Sequence, residues 1–499
     1  MSVLRSKTVE QSIADTDEPG RRLRKTLGPL DLTVFGVGVI IGTGIFVLTG
    51  KAAGTLAGPA IALSFVAAAV ACGLAALCYA EFASTVPVAG SAYTFSYASL
   101  GELLAWIIGW DLILELALGA ATVASGWSTY LRTVMHDTFG VTLPTWVDGN
   151  HHNIVAAVFV LALTVLLCFG IRMSTRVTAV IVAIKVTIVL LVIVAGLFYV
   201  KGGNYHPFIP PAGSRGASGG GESETSFLQA LGLGAGAFGV GGIFRGAALV
   251  FFAFIGFDIV ATAAEETRNP QRDLPIGIFA SLIICTTLYV AVSLVVTGMV
   301  KFTDIKTAAP LAAAFDSVGQ TGIAQVISFG ALAGLTSVAL ILMLGQSRVF
   351  FAMSRDRLLP PVFSAVSERF QTPYRTTLVT GVAVAALTAL VPLTALADLV
   401  NIGTLFAFMV VSIGVVLLRR SRPDLQRAFR TPLVPLVPIL SVLASLYLVL
   451  NLPEKTGLRF LIWMVVGLVI YFVYGARHSR LATGEVPAAT AEAPTRPAG

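Results

Sequence analysis

Charge is scarce in this sequence. Asp, Glu, Lys and Arg make up 12% of its 499 residues, about half the roughly 25% of a soluble domain. That deficit excludes a chain that keeps most of its length in water. Cysteine is scarcer still, and all four (Cys72, Cys78, Cys168, Cys285) fall inside apolar runs. They form no secreted disulfide framework, lack zinc-ligand spacing and read as small core residues. The five histidines (His136, His151, His152, His206, His478) lie in loops or the tail, which leaves an enzyme reading with little to build on. Adjacent side chains diverge on most backbones, so His151 and His152 make a poor metal site. No apolar stretch precedes Leu30, so no cleavable signal peptide is expected and the first helix opens the membrane part of the chain. Neither a channel-filter motif nor a cofactor motif is found. The Gly-rich stretch within 201–245 lacks the Lys-Ser/Thr step of a phosphate loop; it reads as a flexible external linker with a short helix at 226–238.

What is present is hydrophobic: 56% of the chain, with a mean hydropathy of +0.86. The apolar segments recur without a long polar interruption, which argues for one membrane bundle. A helix needs about 20 apolar residues to cross the hydrocarbon core. On that measure spans are expected near 32–52, 58–80, 103–131, 153–170, 178–200 and 246–264. A second set is expected near 275–299, 325–353, 376–394, 397–418, 433–451 and 459–475. The fold class is therefore all-α integral membrane with about 12 transmembrane helices. The net charge of +7 sits in segment ends, tails and loops, the pattern of topology signals rather than of nucleic-acid binding. Twelve spans place 23 Lys and Arg on the side of the two tails and 9 on the other, so both termini are expected in the cytoplasm. The domains follow: a cytoplasmic tail over 1–29, a transmembrane domain over 30–476, and a disordered cytoplasmic tail over 477–499.

Spans one and six carry the strongest local signals. Span one reads VFGVGVIIGTGIFVLTG, with Gly36, Gly38, Gly42 and Gly44 around Thr43; span six has Gly256 and Asp258 near its middle. Each glycine inside a helix costs about 1 kcal/mol relative to alanine, and several together favour unwinding. Small residues also make helix-packing faces, but two interruptions at corresponding positions of two five-helix halves point to an inverted-repeat transporter. A half-helix N-terminus in span one would present free N–H groups to an anion. The C-terminal end of the first half of span six would present carbonyls to a cation. A zwitterionic α-amino acid offers both groups a bond apart.

Four segments, GVGVIIGTGIF, GSAYTFSYASLGELLAWIIGWDLILE, FFAFIGFDIVATAAEETRNPQRDLPIGI and GQSRVFFAMSRDRLLP, resemble the amino acid–polyamine–organocation superfamily, and within it bacterial members of the cationic amino acid transporter family. The similarity covers roughly 28–475. It implies a five-plus-five inverted repeat, discontinuous helices 1 and 6, two extra C-terminal helices, and alternating access around a midplane site. The implied substrate residues are Ile40, Gly42, Thr43, Gly44, Phe252, Ala253, Ile255 and Leu342. Main-chain amides around Thr43 and Gly44 would hold the carboxylate, and main-chain carbonyls of Phe252, Ala253 and Ile255 the amino group. Leu342, in span eight, would shape the side-chain pocket, where its bulk favours neutral over long cationic substrates.

Ionisable residues within spans are costly and are functional candidates by default. Lys185 lies about 12 Å into span five at 1.5 Å per residue. A snorkelling or structurally paired lysine is the plain reading; the resemblance implies instead an ammonium standing in for sodium between spans one, five and eight. Such a group would make transport sodium-independent and open a route to proton coupling. Glu115, mid-membrane in span three, is either a coupling residue near the substrate or a hydrogen-bonded structural carboxyl. Asp111 reads as structural or interfacial, Asp258 as a cap on the second half of span six or a gating or coupling acid, and Glu265, Glu266 and Arg268 as interfacial residues with an inner gate as the alternative role. The function expected is a secondary active amino acid permease of the plasma membrane, with a membrane sensor or an exchanger as alternatives. Its partners would be the substrate, protons and lipid. Oligomeric state stays open.

Overall fold

The computed structural model describes residues 25–483 except 86–90, 143, 145–147, 150–151, 171–174, 218–224, 235, 307 and 365–371. Most of both expected tails, and His151, lie outside the described residues.

Every expected span is a helix. Span one is α1 (Pro29–Ile40) and a second half over 44–57. There follow α2 (Ile61–Thr85), α3 (Glu102–Phe139), α4 (Ile154–Cys168) and α5 (Thr175–Leu197). Span six is α6 (Gly239–Val250), a 3₁₀ turn over Phe251–Phe254 and a 3₁₀ segment over Asp258–Glu266. Then come α7 (Pro270–Met299), α8 (Thr321–Arg355), α9 (Tyr374–Leu390), α10 (Leu393–Ser421), α11 (Leu436–Leu450) and α12 (Glu454–Ile470). A two-residue antiparallel pair, Asp148–Gly149 with His152–Asn153, is the one described departure from an all-α chain.

The helix starts have ordinary causes. Proline at the first or second position opens α1, α7 and the short helix Pro310–Ser317, where its missing N–H is no loss. At α1 the Asp31 carboxylate also accepts the Gly28 N–H at 2.9 Å.

Exchanging spans 1–5 with 6–10 maps the helix contacts onto one another. The α2–α7, α3–α8 and α4–α9 pairs map onto themselves; α1–α7 maps onto α6–α2, and α3–α10 onto α8–α5. This is the contact pattern of the inverted repeat. Burial separates centre from rim. In α3 and in the span-six stretch Gly239–Ala261, 83% of the most apolar window is buried, against 17% for Glu454–Thr483. The centre of the bundle is therefore built on spans three and six, and α12 turns its apolar face outward.

Three features differ from expectation. The helices overrun their apolar cores, α3 reaching Phe139 and α7 starting at Pro270. Two short helices, Ser91–Ser99 and Pro310–Ser317, were not foreseen. The reading of 201–245 as a flexible linker fails in its described parts. Ala217 N–H donates to Gly54 O and Phe238 N–H to Leu56 O, clamping this segment onto the end of span one. Thr225–Phe227 bonds to Leu452 and Glu454 through backbone groups. The helix expected over 226–238 is a single turn, Phe227–Ala230, closed by a Ser226–Gln229 capping box. Glycine-rich composition suggested freedom, but satisfied backbone groups hold the loop.

Candidate functional site

Span one unwinds where its glycines cluster. Ile41, at the end of α1, is extended (ψ 97°), and the second half restarts with the Phe46 N–H donating to Gly42 O at 3.2 Å. Ahead of that bond lie the amides of Thr43, Gly44 and Ile45, the orphan donors of a helix start. On the other side of the break, the carbonyls that end α1 find side-chain donors. Lys185 Nζ donates to Gly38 O at 2.6 Å and the Tyr289 hydroxyl to Ile40 O at 2.7 Å.

Span six breaks at Ile255–Gly256. Ile255 is extended (ψ 132°) and Gly256 has φ +120°, a conformation open in practice only to glycine. Phe252 O accepts the Ile255 N–H at 3.3 Å, and a carbonyl oxygen has a second lone pair to offer. Asn401 of α10 donates through Nδ2 to Ala248 O at 2.8 Å and Leu249 O at 3.1 Å. The two breaks touch. A Cβ on Gly44 would collide with the backbone of Ala253, and one on Gly256 would stand 2.6 Å from Val39 Cγ1. Glycine is required at both positions by this close approach.

Between the breaks lies one pocket, lined by Val39, Ile40, Gly42, Thr43, Gly44, Gly119, Val123, Phe252, Ile255, Val338 and Leu342. Seven of the eight expected substrate residues line it. The eighth, Ala253, lies behind them in the seam with Gly44. Every other wall is apolar, and Thr43 Oγ1 is the one polar side-chain atom on the lining, buried and without a hydrogen-bond partner among the described residues. Sequence reasoning missed Val39, Gly119, Val123 and Val338. Val39 adjoins the Gly-Thr-Gly break, and Gly119 and Val123 are spaced i, i+4 on α3. Val338 lies one turn before Leu342. These spacings were readable but carried no chemical mark.

Lys185 is fully buried. Its stem lies along Gly334 of α8, where a Cβ would stand 3.1 Å from Lys185 Cγ, so it sits among spans one, five and eight. A snorkelling role is excluded by that burial and by the bond to Gly38. Glu115 is buried one turn from Gly119, within bonding reach of the Thr404 hydroxyl, with Oε2 unpartnered among the described residues. Asp111 corrects the interfacial reading. It is fully buried, neither oxygen has a partner among the described residues, and Gly403 of α10 makes room for it. Asp258 works inside the break, where its carboxylate accepts the Gly256 N–H at 3.3 Å. The Glu266 carbonyl accepts the N–H groups of Thr26 and Leu27, tying the exit of span six to the entry of span one, and Arg268 is exposed.

Comparison with known proteins covers nearly the whole chain. The amino acid permease family model matches residues 27–476. Branched-chain amino acid permease BcaP of Bacillus subtilis (strain 168) is 48% identical over 490 residues, 96% of this chain and 99% of that protein. The methylthioribose transporter of the same organism is 43% identical over 486 residues, again 96% and 99% of the two chains. Cationic amino acid transporter 2, vacuolar, of Arabidopsis thaliana is 40% identical over 433 residues, 85% of this chain and 64% of that protein.

Proposed function

This chain belongs to the amino acid permease family and is a multi-pass membrane transporter of amino acids, and we propose that its substrate is a neutral amino acid with a branched aliphatic side chain. One observation carries the reading: the two helix breaks face each other across a pocket whose other walls are Val39, Gly119, Val123, Val338 and Leu342. The amides of Thr43 and Gly44 hold the carboxylate at a positive helix end. The carbonyls of Phe252 and Ile255, which line the pocket, take the ammonium, and Ala253 backs them. The apolar walls take the side chain, and among the described residues the lining has no carboxylate to pair with a guanidinium or a second ammonium. A buried unpaired charge is expensive, so arginine and lysine are disfavoured. The relative named as a branched-chain permease supports the same class.

The transport cycle is alternating access across the plasma membrane, with both tails cytoplasmic, a reading that the 23-to-9 charge bias supports. Lys185 places an ammonium on the Gly38 carbonyl at the end of α1, where it stands in for a sodium ion, and the cycle is sodium-independent. With Glu115 beside the pocket, Lys185 couples transport to protons. The relatives are transporters and permeases by name, and no enzymatic step is assigned.

Competition binding to purified protein tests the substrate class. Leucine, isoleucine and valine should displace labelled leucine, and arginine and lysine should not. Displacement by arginine at the same concentration would overturn the apolar-pocket reading.

A further inference from the structure

We propose that Gly119 sets the upper size limit of the transported side chain; this rests on the neutral aliphatic reading above. The helix α3 contains three glycines, Gly109, Gly119 and Gly126. Glycine is a poorer helix former than alanine, so each needs a reason. For two of them the neighbours supply it. A Cβ on Gly109 would stand 2.7 Å from Met353 Sδ, and one on Gly126 would stand 2.8 Å from Thr43 Cγ2. Neither site has room for a methyl group.

Gly119 differs. The nearest atoms to a Cβ there are the two methyls of Leu342, at 3.4 and 3.8 Å, which is ordinary van der Waals contact. Packing would accept alanine at this position, and its backbone is that of an unbroken helix. What distinguishes Gly119 is that it lines the pocket. Val123, one turn further along the same face of α3, lines it too, and Leu342 leans over the space from α8. A methyl on residue 119 would project beside Leu342 into the volume that the outer carbons of a leucine or isoleucine side chain require. The absent side chain is thus part of the specificity wall.

A control lies in the same helix pair. Gly345 of α8 faces Leu116 of α3, where a Cβ would stand 3.6 Å from Leu116 Cδ2. It has the same helix–helix seam and the same tolerance for a methyl, but does not line the pocket.

The test is uptake of labelled leucine and of labelled alanine by proteoliposomes bearing the native protein, Gly119→Ala or Gly345→Ala, each at equal reconstituted amounts. One methyl in an apolar pocket changes discrimination by about 10- to 200-fold. Gly119→Ala should therefore lower the leucine-to-alanine uptake ratio about tenfold or more while alanine uptake persists, and Gly345→Ala should leave the ratio unchanged. Adding Leu342→Ala to Gly119→Ala should return the volume and restore leucine. An unchanged ratio in Gly119→Ala overturns the proposal, as does an equal fall in Gly345→Ala. A folded Gly119→Ala that takes up neither substrate also overturns it, because small side chains must still fit. Should that variant fail to reconstitute, Gly119→Ser gives the same reading. Failure of the native protein to take up any branched-chain substrate counts against the proposed substrate class instead. The Gly119 ratio is then read between the largest and smallest neutral amino acids that the native protein does carry.

Discussion

The side-chain nitrogen of Lys185 lies 2.6 Å from the carbonyl oxygen of Gly38, and both residues are buried. The bond holds the end of α1 where the helix opens. Its counterpart in the second half is the amide of Asn401, which donates to the carbonyls of Ala248 and Leu249 at the end of α6. The fifth helix of each five-helix repeat therefore supplies a donor to the broken first helix of that repeat. The two donors differ in chemistry: an amine is a titratable group and an amide is not.

That difference makes Lys185 the residue to test for coupling. Lys185→Met keeps much of the volume and removes the donor, leaving Gly38 O buried without its partner at a cost of about 1–3 kcal/mol. Exchange of internal for external leucine should persist, while accumulation driven by an inward proton gradient should fall to background. Retained gradient-driven accumulation in the variant would remove Lys185 from the coupling mechanism.

Asn401→Leu should act on the site through the backbone. Two buried carbonyls lose their donor, and the turn Phe251–Phe254 that follows them lines and supports the pocket. We expect destabilisation on the order of 1–3 kcal/mol in thermal unfolding, together with weaker leucine binding. An unfolding midpoint and an affinity both equal to native would show that Asn401 does not position the site.

The glycines at the two breaks should behave unlike an ordinary helical glycine. Gly44→Ala meets the Ala253 backbone, and Gly256→Ala imposes a side chain at φ +120° beside Val39. Overpacking at Gly44 and strained backbone at Gly256 each cost about 1–3 kcal/mol, and leucine binding should be lost. Gly73 in α2 has nothing within 4 Å of a would-be Cβ, so Gly73→Ala should be neutral or stabilising by up to about 1 kcal/mol. Thermal unfolding with and without leucine separates the three variants.

The outermost helix should matter for stability and not for selectivity. Trp110 of α3 and Trp463 of α12 stack at 4.4 Å and each indole N–H donates to the other residue's carbonyl, at 2.9 and 3.2 Å. Trp463→Leu removes a stacked pair worth about 0.5–1.5 kcal/mol and one hydrogen bond. The unfolding temperature should fall and the leucine-to-alanine uptake ratio should hold.

Much of this was legible in the sequence because the bilayer imposes a length that hydropathy reports directly. The breaks were legible because Gly-Thr-Gly and Phe-Ile-Gly-Phe-Asp are poor helix sequences in matching places. Lys185 stood out because an amine in an apolar run has few explanations, and the resemblance supplied its neighbours. Other features left no such trace. Asn401 and Tyr289 do their work through distant backbone carbonyls that no local pattern announces. Asp111 is buried where Gly403 of a helix nearly three hundred residues away makes room for it, a contact that no local pattern shows, so its sequence reads equally as structural or interfacial. The loop over 201–245 reads as flexible by composition, and in its described parts the bonds to Gly54, Leu56 and Leu452 show otherwise. Gly119 was passed over because a residue that acts through missing volume gives no chemical signal.

The most direct test of the account is leucine uptake into sodium-free proteoliposomes, measured with and without an inward proton gradient and with arginine run in parallel. Concentrative leucine uptake that needs the gradient, without arginine uptake, is the predicted result. Leucine uptake only when sodium is supplied, or arginine carried in place of leucine, would contradict it.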